Sequence, residues 1–271
     1  MLTINLASNP ADSQALESIQ QHNAALVGGL VAQTASLVTA TQGSTDWTSA
    51  RDTLVGWYRA KLLPHGDAAQ SVLYPAARAL PTLEPLIRAM SQEHALLGNL
   101  VTRLESADEP SVALVQAGAG QTLFETHVAK ENDLLLPAMV AAPDISVAAL
   151  LAEMLESQGV HAAVAKSNSA YDEPGEGPQR HTCGCHEEAA GVPELDARTI
   201  PHAIRHATVF GALEAVQPAA KLILVAPHDP LPLLGQIEQR WPLRFAVEYL
   251  ERGPEDWRLL FARSITGSVD R

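Results

Sequence analysis

The stretch His127-Val-Ala-Lys-Glu131 decides how the first half of this chain is interpreted. An imidazole and a carboxylate four residues apart share one face of an α-helix, where both can bind the same cation pair. Three further histidines, His22, His65 and His94, precede this stretch at about one per predicted helix. The pattern indicates an antiparallel helical bundle with a metal site in its core.

Helical spacing of apolar residues extends from about residue 11 to residue 159, with breaks at 43–46, 81–85, 107–110 and 142–144. It predicts four long helices and a shorter fifth. The second and fourth helices look like matched halves of one motif, because the same apolar-Pro signature follows His65 and His127 at the same offsets. The two signatures are Leu73-Tyr74-Pro75 and Leu135-Leu136-Pro137.

A different pattern begins after a polar segment rich in Pro and Gly, which we interpret as a flexible linker over residues 166–192. Strand candidates lie at 194–198, 221–226, 245–250 and 257–261, and helix candidates at 200–216 and 231–240. The order βαβαββ predicts a small two-layer α/β sandwich. We therefore expect a multidomain protein, with an all-α up-down four-helix bundle over residues 1–165 and the sandwich over residues 193–271.

The composition limits the partners and the compartment. The chain has 271 residues, a formal net charge of −13 and two cysteines, so a nucleic-acid partner is not expected. Its first residues lack the basic start and long apolar core of a secretory signal, and the apolar region 134–154 is interrupted by prolines and acidic residues. We expect a cytoplasmic protein with no membrane partner.

The chain up to about residue 160 resembles the hemerythrin-like family, the HHE cation-binding domains. The family pattern is a lone His, a His-x-x-x-Glu, a second lone His and a second His-x-x-x-Glu, and the matching positions hold His22, His65, His94, His127 and Glu131. The resemblance implies a carboxylate-bridged non-haem diiron centre. In that family the centre handles dioxygen, nitric oxide or peroxide, or lends iron to damaged iron–sulfur proteins.

One ligand of the family pattern is missing. Ala69 stands four residues after His65, where the family has a bridging glutamate, and the neighbouring Asp67 and Gln70 lie off that helix face. One carboxylate supplies half of the family's bridging charge for two divalent ions in a dry core. The site could thus hold one iron ion, another metal or none, while haem between two histidines and a purely structural core are further alternatives.

The predicted linker contains a second group of donors, in which four soft or borderline ligands fall within six residues: His181, Cys183, Cys185 and His186. Such a group suits zinc, copper or an iron–sulfur fragment. The alternative is a mobile linker whose two thiols are incidental or form a strained local disulfide. His202, His206 and His228 in the sandwich could join Cys183 and Cys185 in a composite metal or redox site, or they could be capping or surface histidines.

Residues from about 193 to 263 resemble the domain of unknown function 2249 family, which is similar in fold to the small sulfur-carrier proteins of the TusA/SirA type. The matching residues are Leu195-Asp196-Ala-Arg198, Ile200-Pro201, Arg205-His206, His228-Asp-Pro230 and Glu251-Arg-Gly-Pro254. The carriers' reactive cysteine before proline is absent, because Ile200 precedes Pro201. Sulfur transfer through that position is therefore not supported.

Two functional classes follow from these patterns. In the first, the bundle binds iron and senses, scavenges or detoxifies a small diatomic gas or peroxide, as in a stress response, while the C-terminal domain offers a surface to a protein partner. In the second, the chain is a metal- or haem-binding interaction protein without turnover, and its function depends on the Cys/His group together with the C-terminal domain. Ala69 favours the second class, and the patterns do not decide whether the chain is an enzyme.

Overall fold

The computed structural model describes residues 10–43, 46–156, 191–200 and 202–264. The N-terminal part is helical, with α1 at Pro10–Gln42, α2 at 47–77, α3 at Glu84–Glu105, α4 at 110–140 and α5 at 147–156. A 3₁₀ turn, Pro81–Leu83, precedes α3. The expected four long helices and shorter fifth are thus present.

Helices α2 and α4 each contain π-helical turns, in which the backbone makes one wider turn. The α-helical segments of α2 are Trp47–Trp57, Leu63–Ala68 and Tyr74–Ala77, separated by π-turns at Tyr58–Leu62 and Ala69–Leu73. Helix α4 consists of Pro110–Lys130, a π-turn at Glu131–Leu135, and Leu136–Val140.

A proline accounts for the position of each π-turn. Pro64, Pro75 and Pro137 each come two residues after the last residue of a π-turn. A proline inside a helix has no N–H to donate, and its ring clashes with the carbonyl four residues earlier. The wider turn provides room for that ring, so the helix continues without a break.

Two apolar layers form the core of the bundle, and the predicted site lies between them. One layer contains Ile19, Ala69, Met90 and Leu135. The other contains residues from the same four helices, among them Leu26, Leu62, Leu97 and Phe124. On α1, α2 and α3 the histidine stands between a residue of one layer and a residue of the other, so the polar groups occupy one level of a mostly apolar bundle.

The C-terminal part is a four-stranded sheet with two helices. Its elements are β1 at Glu194–Asp196, α6 at His202–Ala215, β2 at Lys221–Ala226, α7 at Leu231–Arg240, β3 at Phe245–Arg252 and β4 at Trp257–Arg263. The strand order is β1-β2-β4-β3, with β1 parallel to β2 and the other pairs antiparallel. The expected βαβαββ order is confirmed, although the first strand and first helix are shorter than expected and β3 and β4 are longer.

Helix α1 packs closely against α6, which joins the two parts of the chain. A Cβ atom added to Gly28 would lie 1.9 Å from the carbonyl oxygen of Thr208, and one added to Gly211 would lie 2.0 Å from that of Ala25. The side-chain amide of Gln33 donates a hydrogen bond to the carbonyl of Ala215. Only glycine allows the two backbones to approach this closely.

Helix α1 is buried on more than one side. By length and composition alone, it is the one helix in the described chain that could cross a membrane. However, 56% of its most apolar stretch is buried inside the protein. This burial is explained by its contacts with the bundle core on one side and with α6 on another.

Candidate metal centre

The five bundle residues predicted from the sequence meet at one level of the bundle. His22 comes from α1, His65 from α2, His94 from α3, and His127 and Glu131 from α4. The ring centroids of His22 and His65 are 5.4 Å apart, and those of His94 and His127 are 4.5 Å apart. The histidines therefore form two pairs.

The Glu131 carboxylate lies between the two pairs. Its Oε2 atom is 3.9 Å from Nε2 of His65 and 3.7 Å from Nε2 of His127. His65 is 1% exposed, whereas His127 and Glu131 are fully buried. His94 is half-buried, and His22 is the exposed member of the group. The arrangement is a single buried carboxylate between two histidine pairs, and each pair has one buried imidazole and one more accessible imidazole.

Several polar atoms of this centre have no hydrogen-bond partner within the described chain. They are both ring nitrogens of His65, both carboxylate oxygens of Glu131 and Nδ1 of His94. A buried polar atom without a partner costs about 1–3 kcal/mol, and a charged one costs more. Such a cost is accepted at sites where a ligand or ion supplies the missing partner, so these atoms make the centre a candidate binding site.

Burial also determines the protonation state of the centre. It lowers the pKa of His65 well below its ordinary value, and the neighbouring histidines lower it further. Burial, together with His127, lowers the pKa of His94 to about 4. Burial raises the pKa of Glu131 to about 7, although the nearby side-chain amide of Asn23, which donates its hydrogen bond to Asn132, opposes this shift. The imidazoles are therefore neutral near pH 7, which is the form that binds metal ions.

A carboxylate outside the predicted set holds His127 in place. Nδ1 of His127 donates a 2.9 Å hydrogen bond to Glu93, whose other oxygen accepts from Lys130. From the sequence we would expect Glu93 to face away from the site, because it precedes His94 by one residue. That expectation is wrong, since Glu93 lies 14% exposed between α3 and α4 and reaches the outer side of His127.

The hydrogen bond to Glu93 fixes which nitrogen of His127 faces the centre. A neutral imidazole has one donor and one acceptor nitrogen, so Nε2 of His127 is the acceptor. It is 3.0 Å from Nε2 of His94 and 3.4 Å from the hydroxyl of Tyr74. Tyr74 also stacks on His94, with ring centroids 5.7 Å apart and planes 8° apart. In the sequence, Tyr74 stands out only as part of the apolar-Pro signature that follows His65.

The pairwise spacing of the donor atoms is compatible with a cation. Two atoms bound to one ion at about 2.1 Å are separated by about 3.0 Å at a right angle and about 4.2 Å when opposite. The separations of Glu131 from His65 and from His127, at 3.9 and 3.7 Å, lie in this range. As the side chains stand, no three His, Cys, Asp or Glu residues in the described ranges enclose a common point. Binding an ion at this centre thus requires side-chain rotations.

The packing around the histidines argues against the haem alternative. Phe124 lies within 6.4 Å of His65 and 6.3 Å of His127, measured between ring centroids. The two imidazoles of each pair are 4.5 or 5.4 Å apart. A porphyrin between axial ligands needs a planar slot, and the aromatic rings fill the space beside these imidazoles.

A cleft of about 340 Å³ between α2 and α3 reaches His94. Its lining includes Gly66, Gln70 and Gly98. A Cβ atom at position 66 would lie 3.3 Å from the His94 ring, and nothing lies within 4 Å of one at position 98. The small residues therefore keep a route open from the surface to one imidazole of the centre.

The second group of predicted ligands is not assembled in the described chain. His181, Cys183, Cys185 and His186 lie outside the described residues. His202 lies at the start of α6, and His206 and His228 are exposed. The composite site that would join these residues remains a prediction.

Comparison with known families gives two matches. Residues 15–139 match the model of the hemerythrin HHE cation binding domain. Residues 194–263 match the model of DUF2249, which is described as an uncharacterized conserved protein. No curated protein and no solved structure matches the chain.

Proposed function

We propose that this chain, which joins a hemerythrin HHE cation-binding domain to a DUF2249 domain, holds non-haem iron in the bundle and uses it to sense or handle dioxygen, nitric oxide or peroxide. The observation that carries the proposal is Glu131, a fully buried carboxylate without a hydrogen-bond partner in the described chain, which lies between two pairs of histidines. His22, His65, His94, His127 and Glu131 are the proposed ligands.

Iron suits this donor set because imidazole nitrogen and carboxylate oxygen together bind borderline first-row metals. Iron would supply the redox chemistry and an open coordination position for a small ligand. Zinc and copper accept the same imidazoles, so the identity of the metal has to be measured.

The residues around the ligands have separate roles. The two apolar layers exclude water, which strengthens every electrostatic interaction between them. Glu93 holds His127 with its Nε2 atom towards the centre. The cleft beside His94 gives a diatomic molecule or peroxide access to the more exposed side of that histidine pair.

One ion is the expected content of the centre. A second divalent ion in a dry core needs further negative charge, and Ala69 supplies none where the matched position of α4 carries Glu131. We therefore propose a mononuclear site, or a second position that is filled only weakly.

The C-terminal domain is the proposed surface for a protein partner. It contacts α1, the helix that carries His22, so it is placed to respond to a change in the bundle. A cytoplasmic role in a stress response, or in supplying iron for iron–sulfur repair, is consistent with this arrangement. The alternative function is that of a metal-binding interaction protein without turnover. Such a protein could have the same metal site, but it would not consume peroxide or a diatomic gas.

The first experiment is metal analysis by mass spectrometry on full-length protein purified without an affinity metal, with a visible spectrum of each sample. His127→Ala tests the bundle, and His228→Ala serves as the matched control because His228 is an exposed histidine of the other domain. We expect iron in the wild-type protein and in His228→Ala, and loss of iron in His127→Ala.

Two other results would change the conclusion. Iron that persists in His127→Ala would exclude the bundle as the metal site. Zinc or copper that persists there but is lost when Cys183 and Cys185 are both replaced by serine would move the function to the Cys/His group.

A further inference from the structure

The two halves of the bundle carry their oxygen donors at different positions. In α4, Glu131 stands four residues after His127, and Leu136 stands nine residues after it. In α2, the corresponding positions after His65 hold Ala69 and Tyr74. The two π-turns, Ala69–Leu73 and Glu131–Leu135, begin at the same offset from their histidines. Helix α2 therefore has no side-chain oxygen four residues after its histidine. Nine residues after it, α2 has the hydroxyl of Tyr74, where α4 has the hydrocarbon side chain of Leu136.

The side chain of Tyr74 is directed into the centre. It is 1% exposed, and its hydroxyl lies 3.4 Å from Nε2 of His127, the nitrogen that faces the centre. Its ring stacks on His94. A separation of 3.4 Å between two donor atoms lies within the range of about 3.0–4.2 Å expected for two ligands of one ion. The hydroxyl thus occupies the position of a further ligand beside the His94–His127 pair.

We propose that Tyr74 is an oxygen ligand of the bound cation and replaces the carboxylate that is missing at position 69, where this chain has alanine. This inference rests on the proposed function, because it assigns a further ligand to the same centre. Binding forms an oxygen–metal bond and breaks the O–H bond of the phenol, and the proton leaves to solvent. No electron is transferred in this step.

Charge explains why this ligand favours one ion. Glu131 and a Tyr74 phenolate together carry two negative charges, which balance one divalent cation in a dry core. The structure places the phenol beside the His94–His127 pair and not beside the His22–His65 pair. The first ion should therefore bind at the His94–His127 end, and ferric iron should be held more tightly than ferrous iron because phenolate is a hard anionic ligand.

The test is the spectrum of the full-length protein loaded with ferric iron. Phenolate bound to ferric iron gives a visible charge-transfer band, and excitation in that band enhances the ring vibrations of the phenolate in the resonance Raman spectrum. Tyr74→Phe removes only the hydroxyl. Tyr58→Phe is the matched control, because Tyr58 is the other tyrosine of the bundle core, also 1% exposed, and its hydroxyl has no partner in the described chain.

We expect the band and the phenolate vibrations in the wild-type protein and in Tyr58→Phe. Both should disappear in Tyr74→Phe, with a loss of iron affinity of about tenfold or more. Iron-loaded wild-type protein without phenolate vibrations would overturn the inference, and this measurement does not depend on whether a variant folds. Phenolate vibrations that persist in Tyr74→Phe would also overturn it.

The failure of this inference can be distinguished from failure of the proposed function. If iron is lost in His127→Ala while the wild-type protein shows no phenolate vibrations, the iron centre is retained and Tyr74 is not a ligand. If the wild-type protein binds no iron, or if His127→Ala keeps it, the proposed function itself fails.

Discussion

Glu93 decides how His127 presents its nitrogen to the centre. A histidine ligand is held in one tautomer and one ring orientation by the partner of its outer nitrogen, and loss of such a partner lowers metal affinity about 10–100-fold. We expect Glu93→Ala to weaken iron binding by this amount, and Glu93→Gln to restore part of it because the amide oxygen still accepts the hydrogen bond. Iron titration followed by absorption measures the affinity.

Glu84→Ala is the control for this prediction. Glu84 lies on the same helix and makes surface ion pairs with Arg78 and Arg88. Equal losses of affinity in Glu93→Ala and Glu84→Ala would show that charge on α3, and not the contact with His127, is responsible.

Tyr58 offers a test of stability that is separate from metal binding. Its hydroxyl is buried and has no partner within the described residues, and an unsatisfied buried hydroxyl lowers stability by about 1–3 kcal/mol. Tyr58→Phe keeps the ring and removes the hydroxyl. We expect the free energy of unfolding, measured with denaturant, to rise by about 1 kcal/mol, and a fall would reveal a partner for the hydroxyl.

Spacing along the sequence identified the residues that share a helix face but not those that reach the centre from beside it. The four histidines and Glu131 follow from their offsets and from one histidine per helix. Glu93 and Tyr74 depend on how α3 and α2 are rotated about their axes relative to α4. That rotation is set by packing between helices, which the periodicity of a single helix does not reveal.

The π-turns show what periodicity misses at the level of the element. The apolar pattern predicted α2 and α4 as continuous helices, and they are continuous. The pattern did not indicate the wider turns, because each turn shifts the apolar repeat by a single residue, which is within the irregularity of an ordinary helical pattern. The prolines at positions 64, 75 and 137 were the available signal, since each requires room in the turn before it.

The end of β3 in the structure also differs from the end predicted from the apolar pattern. Apolar alternation predicted a strand ending at residue 250, but β3 continues to Arg252 by pairing with β4 through an irregularity at Tyr249 and Glu251. Glu251 and Arg252 are exposed, so no apolar residue marks them as part of the strand. Backbone pairing alone extends this element.

The matched positions in α2 and α4 predict the effect of restoring the second carboxylate. Ala69→Glu places a carboxylate four residues after His65, as Glu131 stands after His127. We expect the iron content, measured by mass spectrometry, to rise from about one towards two ions per chain. Without metal, the same variant should be less stable than the wild type, because a buried carboxylate without a partner is costly.

Ala69→Gln is the matched control, since glutamine has nearly the same size and no charge. An equal rise of the iron content in Ala69→Glu and Ala69→Gln would mean that an oxygen ligand at this position, and not its negative charge, limits the second ion. An unchanged content in both would argue against a site with two positions.

At the scale of the whole molecule, the close contact between α1 and α6 should make the stability of the protein sensitive to one added methyl group. Gly28→Ala would place a Cβ atom against the Thr208 backbone, and backbone cannot move aside as a flexible side chain can. We expect a loss of about 1–3 kcal/mol or more in the free energy of unfolding. Denaturant unfolding with a probe in each domain measures whether both are affected.

Gly56→Ala is the control for this substitution. Gly56 lies in α2, and nothing lies within 4 Å of a Cβ atom at that position. Its replacement should stabilise the protein by about 0.5–1 kcal/mol, because alanine favours the helix. A Gly28→Ala variant as stable as Gly56→Ala would show that the two helices are not in contact in solution.

The sequence predicted two domains joined by a linker, and both folds are present. It did not predict that the domains touch. In the sequence, the adjacent glycines Gly28 and Gly29 predict either a close helix approach or a ligand channel, but they do not specify which helix approaches. The partner helix is identified only when the whole chain is folded.

The order of synthesis gives this contact a further consequence. Helix α1 leaves the ribosome before α6, which follows after about 160 further residues, and this takes roughly 10–30 s at ordinary translation rates. During that time the apolar side of α1 that α6 will cover faces water. We therefore expect the nascent bundle to expose this side of α1 until α6 has been synthesised, and a fragment that ends before α6 to be more prone to aggregation than the full chain.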